Sequence, residues 1–455
     1  MGGRDKPRHD GVAPFGIWAC RPQAGRGNAP LPFKLGGCVR IYPREGGAPV
    51  RAKTIVFIHG MGGWGPEDLG GKYPYWGDAL RHLGSPFSVH EAKCGPISSL
   101  HDRACEVFAQ IKGARIDYGE AHSAAADHAR FSRDFSGRGF LSDWSEENPV
   151  VLVGHSAGAP TALLLQKLLA EDFWGFGSNA NWVEAIVSIA GALNGSTLAY
   201  NLCSDATGRL QARPSALVGQ ALALLARVLH RGSPRLFDLH LDQWTGPEAK
   251  GETSDRAAFS RFAASDDNLL HDMTLHGARR TLERCETFDE TYYLALVACA
   301  TTAQRRFSLP FLPLVERPDL AMIVRQPYGG LYICHRGEFA APPIEGWGEG
   351  ELTMEQWRAN DGCVNSISQR YPFLAGRHAV GGEGVFSNAR LAPGGWFYEN
   401  LEDATGRKFD HLDPVHGALM RSSAAQREAH RKLYRDLYFR LLSLGEEATA
   451  QAACG

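Results

Sequence analysis

The chain has 455 residues, more than one ordinary domain needs, although an α/β sheet with insertions can fill that length as a single unit. A hydrophobic share of 44% and a charged share of 22% exclude a disordered or fibrous chain. The formal net charge of -2 exerts no general pull toward nucleic acid or an anionic membrane, so any lipid contact has to be local and apolar. The ten cysteines form no CxxC pair and no framework spacing, which argues against a disulfide scaffold.

Residues 1–50 are rich in Gly, Pro and Arg and carry weak strand signals, so we expect an N-terminal extension ahead of a main domain at 51–450. The opening Met-Gly-Gly-Arg-Asp-Lys is followed by an apolar patch that Pro14 and Gly16 interrupt, which does not read as a secretion signal. Lys6 stands where N-myristoylation wants Ser or Thr. No uncharged apolar run reaches the length of a transmembrane segment. The expectation from these features is a soluble protein, intracellular by default.

Regular alternation begins after residue 50. Thr54–Ile58 reads as a short buried strand ending in His59-Gly60, and Pro149–Val153 as a second, followed at once by a helix over Ala159–Phe173. Val183–Ala190 and Tyr292–Ala300 read as two more strands. Short apolar strands separated by helices predict an α/β fold, a mostly parallel central sheet with helices on both faces. Residues 201–290 break the rhythm with a mostly helical, polar insertion. Near the C-terminus, Ser423 and Gln426 suggest a capping box for a helix with Leu433, Leu437, Leu441 and Leu444 on one face.

The strongest chemical signal is Gly154-His155-Ser156-Ala157-Gly158, between a buried strand and a helix. A sharp strand-to-helix turn lifts a serine hydroxyl clear of the sheet, needs small neighbours, and leaves the next backbone N–H free to bind an oxyanion. Alone the pattern recurs by chance; in this context it predicts an α/β-hydrolase fold with Ser156 as nucleophile. The competing reading is a glycine-rich turn in a non-catalytic protein. Such a serine needs a base and an acid later in the chain. Asp361 in Asn360-Asp361-Gly362 and His411 in Phe409-Asp410-His411-Leu412 are candidates, although Asn-Asp-Gly marks turns generally and seventeen histidines make coincidence cheap. His59-Gly60-Met61 suits the other half of an oxyanion site, with the backbone N–H of Met61 converging on that of Ala157.

Several blocks resemble the zinc-containing thermoalkalophilic lipases of bacteria, relatives of the staphylococcal lipases. They are His59-Gly60-Met61-Gly62-Gly63-Trp64-Gly65, Gly95-Pro96-Ile97-Ser98-Ser99, Asp102-Arg103-Ala104-Cys105-Glu106 and Asp117-Tyr118-Gly119-Glu120-Ala121-His122. His128-Ala129-Arg130-Phe131, Phe237–Trp244, Asn360–Asn365 and Asp410-His411-Leu412 continue the series in family order. The resemblance implies a Ser156, Asp361 and His411 triad acting on triacylglycerols or simpler acyl esters through an acyl-enzyme. It also implies zinc on Asp102, His122, His128 and Asp242, a neutral set of two imidazoles and two carboxylates suited to tetrahedral zinc. Because i and i+6 do not share a helical face, the segment from His122 to His128 is expected to bend. With all four positions filled by protein, the ion would be structural and would pin the insertion to the main sheet.

The family also carries a calcium site near the catalytic histidine. Here Asp413 is the one acid available for it, and the ligand set is incomplete. The resemblance places a lid in Ala216–Leu229, whose Ala216, Leu217, Leu222, Leu225 and Leu229 would cover the site in water and face lipid when lifted. A plain core helix is the other reading of this stretch. The expected partner is an acyl-ester substrate at a transient lipid interface. The family is secreted, at odds with the intracellular default. Two other functions stay open: an esterase or phospholipase on smaller or polar esters, and a silent hydrolase-fold binding protein.

Overall fold

A computed structural model describes residues 53–199, 237–245, 252–305, 314–319, a few positions between 322 and 334, 356–374, 376–388, 390–416 and 423–444. The expected extension at 1–50 and the expected lid residues Ala216, Leu217, Leu222, Leu225 and Leu229 lie outside the described residues.

The main unit, which starts at Arg51, is built on β1 (Thr54–Ile58), β2 (Ser88–Ala92), β3 (Arg115–Asp117), β4 (Phe131–Asp134), β5 (Val150–His155), β6 (Val183–Ile189), β7 (Tyr292–Val297), β8 (Thr301–Arg305), β9 (Leu314–Pro318), β10 (Val380–Glu383) and β11 (Trp396–Asn400). Seven of these form one sheet in the order β10-β11-β7-β6-β5-β1-β2, and every pairing in it is parallel. β3–β4 and β8–β9 are separate antiparallel hairpins.

Both faces of the sheet are buried, so its strands carry near-continuous apolar runs. Val56, Ile58, Leu152 and Ile186 point to one face, where α1 (Leu100–Lys112) and α3 (Gly158–Ala170) cover them. The alternate residues Ile55, Phe57, Val151, Val153 and Val187 meet the C-terminal helix on the other face. That helix, Ala424–Ser443, buries Leu433, Leu437 and Leu441 completely, as the spacing of four predicts. Ser423 Oγ accepts from Gln426 N at its start, but the Gln426 side chain reaches Lys408 O instead of closing a reciprocal box. The insertion between β6 and β7 contributes helices at Glu252–Ala264, Leu269–Asp272 and Leu275–Arg284.

β1 lies between β2 and β5, so the chain leaves β1 toward one edge and later resumes on its other side. Loops diverge at such a switch point and leave a crevice outside the carboxyl ends of the strands. The glycine-rich loop after β1 and the serine turn after β5 both open onto it.

Candidate active site and metal centre

Ser156 follows β5 with φ of 56°, a left-handed conformation costly for a residue with a Cβ. The turn holds because the residues two places to either side, Gly154 and Gly158, have no side chains to collide. A Cβ on Gly158 would lie 2.1 Å from the Ile58 carbonyl oxygen, and one on Gly154 would lie 2.3 Å from the Gly158 carbonyl carbon. The strand, turn and helix therefore close on each other only with glycine at both places.

His411 approaches from the loop beyond β11 and sets Nε2 2.9 Å from Ser156 Oγ. Its Nδ1 is 2.7 Å from Asp361 Oδ2. A carboxylate only accepts, so Nδ1 carries the proton and the bare Nε2 accepts from the serine hydroxyl. Asp361 is itself held firmly. Oδ1 accepts from the backbone N–H groups of Cys363 and Val364, and Oδ2 also from Gln369 Nε2. Gln369 in turn accepts from Ala298 N just past β7, which anchors the acid loop to the sheet. A backbone bond from His411 N to Asp361 O, 2.8 Å, ties the acid and base loops together.

Ser156 and His411 open into a cavity of about 570 Å³. Met61 and Ala157 line it beside them, with apolar walls from Trp64, Leu69, Leu198, Met273 and Val364. The volume suits a small organic ligand, and the wall chemistry suits hydrocarbon.

A second cluster lies at the start of α1. Asp102, His122, His128 and Asp267 each bring one ligand atom within 4.8 Å of the others. Ser99 caps α1, which places Asp102 in its first turn and fully buries it. Helix α2 (Glu120–Ala126) carries His122 and stops at Asp127 in a left-handed conformation, so the chain bends before His128 as the spacing requires. The fourth residue corrects the sequence-based expectation: it is Asp267, not Asp242. Asp242 begins a short 3-10 turn and pairs with Arg133, its Oδ2 2.6 Å from Nε. Successive side chains of such a turn point in different directions. The next residue, Gln243, is the one that faces the cluster, donating to Asp102 Oδ2 at 2.8 Å. Asp267 is delivered by the insertion, where Asn268 bridges Ser98 and Leu269 N donates to Ile97 O.

The donor set fits a metal. His122 Nε2 is 3.1 Å from Asp102 Oδ1 and 3.4 Å from Asp267 Oδ1; His128 Nε2 is 3.6 Å and 3.4 Å from the same two carboxylates. Bonds of about 2.0–2.1 Å in a tetrahedron put ligand atoms about 3.3 Å apart. His128 Nε2 and Asp267 Oδ2 are buried without a hydrogen-bond partner, the condition a shared cation would relieve. His128 Nδ1 donates to Ala129 O and so aims Nε2 inward. Burial disfavours charge on both imidazoles, but the adjacent Asp102 and Asp267 carboxylates outweigh it, raising His122 to about 9 and His128 to about 10. The same contacts hold Asp267 well below the usual carboxylate range despite its burial.

Asp413, the one acid available for a calcium site, pairs with Asp410. Its Oδ2 accepts from Asp410 N while Asp410 Oδ1 accepts from Asp413 N, a mutual brace under the His411 loop. Among the described residues, the cluster at Asp102 is the one convergence of three or more ligand-type side chains. Among the described residues, no helix is long and apolar enough to cross a membrane.

An acid, a base and a serine at the carboxyl ends of a parallel sheet, with the serine on a strained strand-to-helix turn, define the α/β-hydrolase class. Residues 51–306 match the family described as lipase-like, C-terminal domain, and the chain belongs to that family. It is 27% identical to a lipase of Staphylococcus hyicus over 350 residues, 71% of this chain and 49% of that protein. It is 28% identical to lipase 2 of Staphylococcus aureus over 355 residues, 71% of this chain and 45% of that one. The chain thus spans about half the length of these relatives. Among solved structures, Staphylococcus hyicus lipase superposes with a TM-score of 0.66 at 23% identity, covering 88% of this chain and 99% of that one. Lipase 1 from Pelosinus fermentans gives 0.60 at 25% identity, with 87% and 99% covered.

Proposed function

We propose that this protein hydrolyses carboxylic esters of fatty acyl chains, triacylglycerols or related lipids, through an acyl-enzyme on Ser156. The observation that carries this reading is the unbroken line from Asp361 through His411 to Ser156, with contacts of 2.7 and 2.9 Å, opening into an apolar cavity. His411 takes the serine proton as Oγ attacks the ester carbonyl and returns it to the departing alcohol. Asp361 keeps the proton on Nδ1 and stabilises the imidazolium. Water then repeats the sequence on the acyl-enzyme and releases the fatty acid. The backbone N–H groups of Met61 and Ala157 receive the developing oxyanion, each such donor contributing roughly 3–4 kcal/mol to the transition state.

Lipid as substrate is supported by the apolar walls and by Met61 and Tyr73, which are exposed at the cavity. A lid at Ala216–Leu229 would close this opening in water. The metal cluster suits zinc, with Asp102, His122, His128 and Asp267 as ligands; a bound ion would supply a structural crosslink there. Through Asp102 and Asp267 it would tie α1 to the insertion.

A panel of p-nitrophenyl esters beside emulsified triglyceride, together with a fluorophosphonate probe, tests the reading. Labelling of Ser156 and turnover of long-chain esters are expected, with a jump in rate once substrate forms an interface. An unlabelled Ser156 would point to a binding protein, and turnover of short soluble esters alone to an esterase.

A further inference from the structure

The peptide group between His59 and Gly60, at the head of the oxyanion loop, is held at both ends. Its carbonyl oxygen accepts from Arg103 Nη2, a fully buried arginine of α1, at 2.5 Å. Its N–H donates to the Tyr75 hydroxyl at 3.0 Å. Tyr75 is then 2.7 Å from His155 Nδ1, and His155 Nε2 is 2.9 Å from the carbonyl oxygen of His411. A carbonyl only accepts, so Nε2 of His155 carries the proton and Nδ1 accepts from Tyr75. All four groups are buried. Three short hydrogen bonds therefore join the oxyanion loop, the residue before the nucleophile and the loop of the catalytic base.

The next peptide shows what this chain of bonds achieves. The Gly60 carbonyl accepts from Gly63 N–H at 3.1 Å, and His59 Nδ1 stands 2.9 Å from it. In a trans peptide N–H and C=O point in opposite directions, so with Gly60 O held by the loop, Met61 N–H faces away from it. Met61, Gly62 and Ser156 all line the same cavity, and a donor directed away from Gly60 O is the one available to a substrate oxygen there. The aim of the Met61 donor thus depends on a loop whose first peptide is locked by Arg103 and Tyr75.

We propose that Tyr75 and His155 are positioning residues, a strut that keeps the Met61 oxyanion donor and the His411 imidazole in register with each other. The inference rests on the serine-hydrolase reading above. Neither residue hydrogen-bonds a reacting atom. Tyr75 acts through the Gly60 N–H, and His155 through the His411 carbonyl and a ring contact with the His411 imidazole, centroids 4.7 Å apart.

Steady-state kinetics of the full chain on p-nitrophenyl butyrate test it. Tyr75→Phe keeps the ring in the cavity wall and removes only the hydroxyl, so kcat should fall about 10- to 100-fold with KM within about twofold. His155→Leu should fall by a similar factor, and the double variant by no more than either single, because both break one strut. His155→Gln, which offers a donor and an acceptor on one side chain, should recover most of the Leu loss. Affinity for a boronic acid, which mimics the tetrahedral intermediate, should fall in parallel with kcat. Multiplying effects in the double variant, a loss confined to KM, or an unchanged kcat in Tyr75→Phe would each overturn the strut. Melting curves distinguish a variant that simply misfolds: Tyr75→Phe and His155→Gln are expected to unfold cooperatively close to the parent. An inactive, unlabelled parent would instead sink the hydrolase reading itself.

Discussion

The two functional clusters are built from similar side chains and finished differently. Around Ser156, the acid and the base are already bonded within the protein: Asp361 accepts from His411, Gln369 and two backbone N–H groups. Around Asp102, two carboxylates and two imidazoles converge, yet His128 Nε2 and Asp267 Oδ2 stay buried and unbonded. Unpaired polar atoms in low dielectric are costly, whereas complete networks are rigid. The first cluster is preorganised as it stands; in the second, a shared cation would satisfy the two unbonded atoms. One is suited to stabilising charge that comes and goes, the other to holding an ion that stays.

The sharpest way to break this contrast is to remove the nucleophile. Ser156→Ala should lower kcat by about 10⁴-fold or more in an ester assay while leaving metal content unchanged. Gly158→Ala comes next, because the added Cβ meets the Ile58 main chain rather than a flexible tip. We expect reduced soluble yield and, in what folds, weaker fluorophosphonate labelling of Ser156. At the other cluster, Asp267→Asn should abolish stoichiometric metal by elemental analysis and lower Tm by several degrees. Asp242→Asn should retain the metal, since it disturbs only the pairing with Arg133. If Asp242→Asn lost the ion and Asp267→Asn kept it, the ligand assignment would be reversed.

Chelation should be milder still. Hydrogen exchange is expected to rise over 237–245 and 265–272, with the core strands unchanged, because the sheet does not need the ion to stay folded. The smallest expected effect is on pH dependence. In metal-free protein His122 is raised to about 9 and His128 to about 10, above their unfolded values near 6.5. Their contribution to stability is therefore fully present below about pH 6.5 and is lost as pH rises through 9 to 10. The metal-bound form, whose imidazoles must be neutral, lacks that decline. Melting temperatures of both forms across pH 6 to 10 check it.

Much of this was legible from residues alone. Strands β1, β5, β6 and β7 were readable because each is a short, mostly apolar run buried on both faces. The serine turn was readable because its steric demands leave an unmistakable glycine pattern around Ser156. The bend before His128 was legible once the family resemblance had paired it with His122, because i and i+6 do not share a helical face. Asp267 was not: Asp242 has the same chemistry, directly precedes Gln243, which bonds Asp102, and differs only in where a 3-10 turn points it. Tyr75 carries no motif and becomes meaningful only once Gly60 and His155 flank its hydroxyl.

The order of side chains along the polymer thus determined the parallel α/β architecture, the strained turn at Ser156 and the types of partner such a serine needs, because strand burial and a strained turn are local constraints written over a few residues. Only the tertiary structure decided which acid joins Asp102, His122 and His128, which loop peptide is locked, and that Asp413 and Asp410 brace one another. Those outcomes depend on direction and distance between segments far apart in the chain. A residue's identity states what it is able to bond, and the packed fold alone states what lies within about 3 Å of it.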